Sequence, residues 1–348
     1  MARDLLTRLA EGPVLGDGGY LLELERRGWV QAGPFTPEVS ITHPEALLEL
    51  HREFRRAGAE ILQALTFYAS EEKLATVGLA GRVDDINRAA VRIARQAASE
   101  AVDGGGDGSD GDGEASLVAG NLSLTWAYDP DDKRSADRVR ALFDRQLEVQ
   151  TGEGIDLVIG ETFSWLGEAL IALEAGRATG LPTVITLSFE KPTAKTYEGF
   201  TPADSARRLV DAGADVVGVN CLRDPARTLP ILAEMREAVP DGRIAGQPVG
   251  YRVSDEHPDF TSRPSFPFGL EAVAMTRAEM AEWAVGARDA GVDLIGSCCG
   301  SAPHHVRAMA RALGKLPSED RRWRSTSGKA MSAYEYYGHS ETEAPAAR

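Results

Sequence analysis

An alternation constrains this chain more than any other feature: eight short runs rich in β-formers, each followed by a stretch able to form a helix. The runs begin near 13–15, 60–65, 116–119 and 156–159, and continue at 183–186, 215–219, 243–245 and 293–295. Strict alternation implies parallel strands joined by right-handed crossovers. Eight such units in 348 residues predict an α/β fold of the (β/α)8 TIM-barrel type, ahead of an open doubly wound sheet. A repeated junction supports the count. Gly58-Ala59-Glu60, Gly154-Ile155-Asp156, Gly213-Ala214-Asp215 and Gly291-Val292-Asp293 each precede an even-numbered run. Glycine just past a helix accepts the left-handed backbone that ends it and turns the chain into the next strand.

The stretch before Gly58 shows the helical face such a barrel needs. Pro44 suits a first helical position after Thr42 or His43, and Leu47, Leu50, Phe54 and Ala57 recur at spacings of three, four and three. Two segments fall outside the pattern. Residues 103–114, DGGGDGSDGDGE, are too rich in glycine and aspartate to bury a core and are expected as a loop on the lower face; the glutamate-terminated calcium loop of an EF-hand is not met there. After Leu316 the chain loses strand and helix periodicity, which predicts a barrel domain over 1–316 and a tail over 317–348 without regular structure.

Charge and hydropathy narrow the partners. A formal net charge of -15 repels phosphate backbones and anionic membranes, so neither nucleic acid nor a membrane surface is an expected partner. No apolar run approaches the roughly 20 residues of a membrane helix, and the opening MARDLLTRLAEG does not read as a signal peptide, so the expected location is the cytoplasm.

The chemistry collects on three cysteines. Cys221 closes the sixth run in Gly218-Val219-Asn220-Cys221, and Cys298-Cys299 follow the eighth in Gly296-Ser297-Cys298-Cys299-Gly300. In parallel barrels reactive residues sit at the carboxyl ends of strands, and curvature brings the sixth and eighth ends near each other. Neighbouring strand residues face opposite sides, so two vicinal cysteines can converge only where the backbone leaves strand geometry, as Gly296 and Gly300 allow. Three thiolates suit zinc better than magnesium or calcium, and three protein ligands leave a fourth position open for water or substrate. His304 and His305 follow Pro303 and are expected to be carried outward at a helix start. A zinc already holding three thiolates activates water poorly but can bind a substrate thiol as thiolate. Thiol alkylation is therefore the expected chemistry, with no catalytic residue beyond the metal site.

These residues, over roughly 14–313, resemble the betaine branch of the homocysteine S-methyltransferase family. The resemblance is carried by GDGGYLLELERRGWVQAGPFTPE from Gly16, HPEALLELHREFRRAGAEILQALTFYASEEKL from His43, GVNC at Gly218, FPFGLE at Phe266 and GSCCG at Gly296. It implies Zn2+ on Cys221, Cys298 and Cys299, and homocysteine as the thiol. Asp17, with Gly18 beside it, and Glu161 would hold the homocysteine ammonium; Tyr68 and Phe35 would line the pocket of a small methyl donor. The implied reaction moves a methyl group from glycine betaine to homocysteine, giving methionine and dimethylglycine. S-methylmethionine, dimethylsulfoniopropionate or proline betaine are alternative donors, and a non-catalytic zinc-binding barrel is the reading from another class.

Read without the resemblance, Asp17 could instead cap a turn and Tyr68 could be a rim aromatic, whereas a lone buried carboxylate such as Glu161 is costly unless something pairs with it. Two positions depart from the family pattern: Phe35 stands where the betaine enzymes present tryptophan, and Thr162 where they place a tyrosine that serves as alternative fourth zinc ligand. Trp126 and Tyr128, past the third run, are expected on the same rim. The family's animal members assemble through a longer carboxyl-terminal arm, so a homo-oligomer is allowed here but a tetramer is not implied.

Overall fold

The computed structural model describes residues 4–33, 36–100, 114–190 and 193–316. Its centre is one sheet of eight parallel strands: β1 (Val14–Leu15), β2 (Ile61–Gln63), β3 (Leu117–Ser123), β4 (Leu157–Phe163), β5 (Thr183–Leu187), β6 (Val216–Asn220), β7 (Ile244–Gln247) and β8 (Leu294–Ile295). From β2 to β8 each strand pairs with the next, and β8 also pairs with β1. At the seam between β1 and β2, Glu60 N–H donates to the Leu15 carbonyl at 2.8 Å, and the Asp17 carboxylate accepts the Gln63 N–H at 2.7 Å. The (β/α)8 barrel expected from the alternation is therefore the fold.

Among the described residues one helix of ten or more residues follows each strand: α1 (Pro44–Arg56), α2 (Val83–Ser99), α3 (Lys133–Gly152), α4 (Leu166–Ala178), α5 (Pro202–Asp211), α6 (Pro225–Ala238), α7 (Arg277–Asp289) and α8 (Pro303–Ala312). Proline opens α1, α5, α6 and α8, where its missing N–H costs nothing. Thr201, Asp224 and Thr276 cap α5, α6 and α7 with side-chain oxygens. Leu47, Leu50, Phe54 and Ala57 are fully buried, as their spacing predicts. Gly58, Gly154, Gly213 and Gly291 take φ of 99°, 85°, 93° and 77°, the left-handed stops read from the repeated junction.

The strands bury both faces, in two alternating sets. Val14, Ile61, Leu117, Ala119, Leu157, Ile159, Val184, Val216, Ala245 and Leu294 cluster with one another and with Leu5 and Leu9 of the short helix Leu5–Glu11, filling the barrel's interior. The intervening residues, such as Leu62, Val118, Val158, Ile185 and Val217, pack against the surrounding helices.

Strand ends differ from the sequence expectation in one way that matters. β3 and β4 each run four residues further than read, so Glu161 lies within β4 and not after it. Glycine ended the reading in both runs. Gly120 and Gly160 are in fact strand residues, paired in the ladder, and these positions are glycine because a Cβ there would collide with Gln150 and Ile155, or with Ile185. β2 is shorter than read, Ala64 and Leu65 having left the ladder. Residues 103–113 and the tail 317–348 lie outside the described residues, as does Phe35.

Candidate active site and metal centre

Followed upward, the interior set turns polar. Two residues beyond Ile61, Ala119, Ile159, Val184 and Ala245 stand Gln63, Asn121, Glu161, Thr186 and Gln247, and four beyond Val216 stands Asn220. Strand alternation thus aims one polar residue from each of six strands at the same space. Glu161 is its centre. Its carboxylate accepts from Asn121 Nδ2 at 2.7 Å, from Asn220 Nδ2 at 2.8 Å and from Gln63 Nε2. Asn220 is held in turn by the Thr162 N–H and the Thr186 hydroxyl, each 2.9 Å from its Oδ1.

Asp17 faces the same cavity from the loop after β1. It accepts the Tyr20 hydroxyl at 2.7 Å, and that hydroxyl also meets His51 Nδ1 at 2.8 Å. Gln63 bridges the two acids, its backbone on Asp17 and its side chain on Glu161. Burial lifts Asp17 to about 7 and Glu161 to about 8, the nearby Cys221 charge adding to the second; no cationic side chain opposes either shift. Two buried carboxylates with hydrogen-bond donors but no counter-charge form a site for a cation. Gly18 and Gly19 let this loop close on the rest: a Cβ at Gly18 would lie 2.7 Å from Phe54, and one at Gly19 2.7 Å from the Cys298 carbonyl oxygen.

The three cysteines line the other side of that cavity. Cys221 follows β6 with φ 58°, a left-handed conformation unusual for a side chain of this kind, and its N–H donates to the Gln247 carbonyl at 2.9 Å. Cys298 and Cys299 occupy the turn after β8, which Gly300 completes at φ 81°. This turn frees the vicinal pair from strand geometry. The Sγ atoms of Cys221 and Cys299 are 3.9 Å apart, those of Cys298 and Cys299 4.0 Å, and all three lie within 4.8 Å of one another. A tetrahedral zinc with Zn–S near 2.3 Å separates its sulfurs by about 3.8 Å, so the cluster fits that ion. Contact with Cys298 and Cys299 holds the Cys221 thiol well below its ordinary value, while the same contacts hold Cys298 and Cys299 well above theirs. A cation would let all three ionise together.

The chain's relatives carry the same chemistry in their names. Residues 14–313 match the sequence profile of the homocysteine S-methyltransferase family. This chain belongs to the homocysteine S-methyltransferase family. It is 41% identical to betaine-homocysteine S-methyltransferase 1 of Danio rerio, covering 89% of this chain and 76% of that one. An S-methylmethionine-homocysteine S-methyltransferase of Pongo abelii is 37% identical over 89% of this chain and 81% of its own. Among solved structures, the metallated form of the Escherichia coli homocysteine methyltransferase MmuM shares the fold, with a TM-score of 0.67 at 20% identity over 86% of this chain and 96% of that one.

In this homocysteine S-methyltransferase the remaining expected residues fall as follows. Tyr68 follows β2 on the rim, with φ 68° and its N–H on Ser123 Oγ, near enough to Cys221, Cys299 and Glu161 for their charges to add to the burial that raises its hydroxyl; Phe67 and Tyr20 line the cavity beside it. Trp126 stands 6.5 Å from the Tyr68 ring, ring centre to ring centre, whereas Tyr128 packs on Trp165. Thr162 lines the cavity, its hydroxyl accepting from Asn220 at 2.8 Å.

The histidines part company. His304 is exposed as expected, but His305 is buried: its Nδ1 accepts the Ala302 N–H at 3.0 Å and its Nε2 meets the Met275 carbonyl at 2.9 Å, closing the start of α8. Neither belongs to the sulfur cluster. Sequence reasoning passed over Gln63, Asn121, Asn220 and Tyr20. For the first three the signal was available, as single polar residues in step with the interior positions of apolar runs; Tyr20, in the loop after β1, carries no such signal.

Proposed function

We propose that the protein transfers a methyl group from glycine betaine to L-homocysteine, with zinc held by Cys221, Cys298 and Cys299. The observation that carries this reading is one cavity with three thiols at tetrahedral spacing on one wall and two uncompensated carboxylates on the other. Homocysteine has the matching pair of groups, a thiol and an ammonium. Zinc, when bound, would supply a Lewis acid that favours the substrate's thiolate over its thiol at neutral pH.

The chain's own residues do the rest. Asp17 and Glu161 receive the ammonium, and Gln63, Asn121 and Asn220 keep the acceptors aimed at it. The substrate sulfur is then fixed near the rim and meets the donor's methyl carbon. A C–S bond forms as the C–N bond breaks, and the electron pair stays on the nitrogen of dimethylglycine. No general base is needed in that step, and none of the described residues is placed as one. Fixing both partners in line supplies much of the acceleration such a transfer needs.

The donor side is supported by the 41% identity to a betaine enzyme. A sulfonium donor is favoured instead by the 37% identity to an S-methylmethionine enzyme. Three free thiols among the described residues support a reducing compartment such as the cytoplasm. No helix among the described residues is long and apolar enough to cross a membrane. Assay of the zinc-loaded enzyme with homocysteine and a panel of glycine betaine, S-methylmethionine, dimethylsulfoniopropionate and proline betaine tests the reading. Methionine formation fastest with glycine betaine is expected; preference for a sulfonium would move the protein to the second donor class, and no methylation of homocysteine would overturn the reading.

A further inference from the structure

The short helix Glu71–Ala75 follows the loop that carries Phe67 and Tyr68, and its Lys73 is completely buried. The Lys73 ammonium has no hydrogen-bond partner. Its Nζ lies 3.8 Å from the centre of the Tyr68 ring and 4.8 Å from that of Trp126. Glu72 and Glu168 act on it through space without a hydrogen bond to it: one Glu72 oxygen accepts the Ser70 hydroxyl at 2.9 Å while the other is buried without a partner, and Glu168 accepts the Thr125 N–H and hydroxyl at 2.6 and 2.5 Å. A buried ammonium that makes no hydrogen bond loses its hydration without replacement, and a methionine of similar length would fill the same space without that loss.

Burial lowers the Lys73 ammonium to about 7, and what the charge gains where it is held is two aromatic rings from two different strand ends. Tyr68 follows β2 in a left-handed conformation that a tyrosine resists, so something beyond its own backbone must hold it. Trp126 follows β3 and is 56% exposed, with little packing of its own to fix its ring. The Lys73 ammonium is the contact the two rings share. We propose that Lys73 is a positioning residue for the methyl donor: its charge fastens Tyr68 and Trp126 into one wall at the rim of the cavity. The proposal rests on the reading that Tyr68 lines the donor pocket.

Steady-state kinetics of Lys73→Met, Lys73→Arg and Trp126→Ala, measured with every donor the wild type uses, test this together with tryptophan emission. Lys73→Met is expected to raise the donor KM at least tenfold while the homocysteine KM stays within twofold. Lys73→Arg should recover most of that loss, since a guanidinium also stacks on aromatic faces. Trp126→Ala removes an exposed ring without opening the core and should raise the donor KM as well. The emission of the zinc-loaded protein should shift on Lys73→Met, and this shift should vanish in a Trp126→Phe background. Equal effects of Lys73→Met on both substrates, or none on the donor, would overturn the proposal. Should that variant fail to fold, an unchanged donor KM in Trp126→Ala would do the same. Wild-type protein inactive with betaine defeats the donor reading alone, because the emission test and the KM of whichever donor works still report on Lys73.

Discussion

At the scale of single residues the site is a contest between burial and charge. Each sulfur of the cluster lies about as far from its neighbour as zinc ligands do, so removing one leaves two thiols and an open edge. Each of Cys221→Ala, Cys298→Ala and Cys299→Ala is expected to lose activity and most of its zinc; full retention of zinc by any of them in metal analysis would remove that residue from the ligand set. Glu161 is a different case, because its proposed partner is the substrate ammonium and not the metal. Glu161→Gln should keep its zinc yet raise the homocysteine KM on the order of tenfold or more, since a charge-assisted bond is worth about 1.5 to 3 kcal/mol. Unchanged homocysteine kinetics would refute the ammonium site.

The pH dependence has a definite sign. With Asp17 near 7 and Glu161 near 8 in the empty enzyme, protons compete with the ammonium below those values. Homocysteine affinity is therefore expected to fall as pH drops from 8 to 6, on the order of tenfold per unit for each carboxylate that must ionise. Titration calorimetry of the zinc-loaded protein would show it, and Glu161→Gln should flatten the upper part of that fall.

Glycine does two separate jobs at the scale of the elements. At Gly154 it ends α3 at φ 85°, and a Cβ there would only touch the Arg95 side chain at 3.6 Å. The cost of Gly154→Ala is then the left-handed backbone alone, about 1 kcal/mol, and activity should be unchanged. Urea unfolding measures that cost. At Gly218, inside β6, a Cβ would land on the Ala245 carbonyl oxygen of the neighbouring strand, which the β6–β7 ladder holds in place. Gly218→Ala is expected to yield no folded protein, and a soluble, active variant would show that the two strands can separate. The same closeness explains why β6 delivers Asn220 and Cys221 to the site in fixed register with Gln247.

The whole molecule is a barrel whose interior is apolar below and polar above. This arrangement needs all eight strands, and the last described residues, past α8, still pack on it: Leu313 and Leu316 lie against the main core. The barrel domain is accordingly proposed to end at 316. A chain cut after Leu316 is expected to keep its melting temperature within a few degrees and its homocysteine kinetics within twofold. Loss of either would make 317–348 part of the folded unit, and a change of oligomeric state on truncation, read by light scattering, would assign the tail to assembly.

The sequence by itself determined the architecture, because a (β/α)8 barrel is written in local signals: β-rich runs, helix stops at Gly58, Gly154, Gly213 and Gly291, and prolines at helix starts. It also marked the thiol cluster, since cysteines at the ends of the sixth and eighth strands are brought to the same rim once the barrel closes. Only the tertiary structure decided which polar residues share the cavity. Gln63, Asn121 and Asn220 read locally as minor breaks in apolar strands, and they become the scaffold of Glu161 only when six strands bring their interior positions together. It decided the end of β4 as well, where Gly160 pairs with Ile185 in the ladder and is glycine because the Ile185 side chain occupies the space a Cβ would need. His305 and Lys73 follow the same rule. His305 caps α8 through nearby Ala302 but also meets the Met275 carbonyl 30 residues away, and the Lys73 ammonium lies on nearby Tyr68 but also on Trp126, 53 residues away; no local pattern records the distant partner of either.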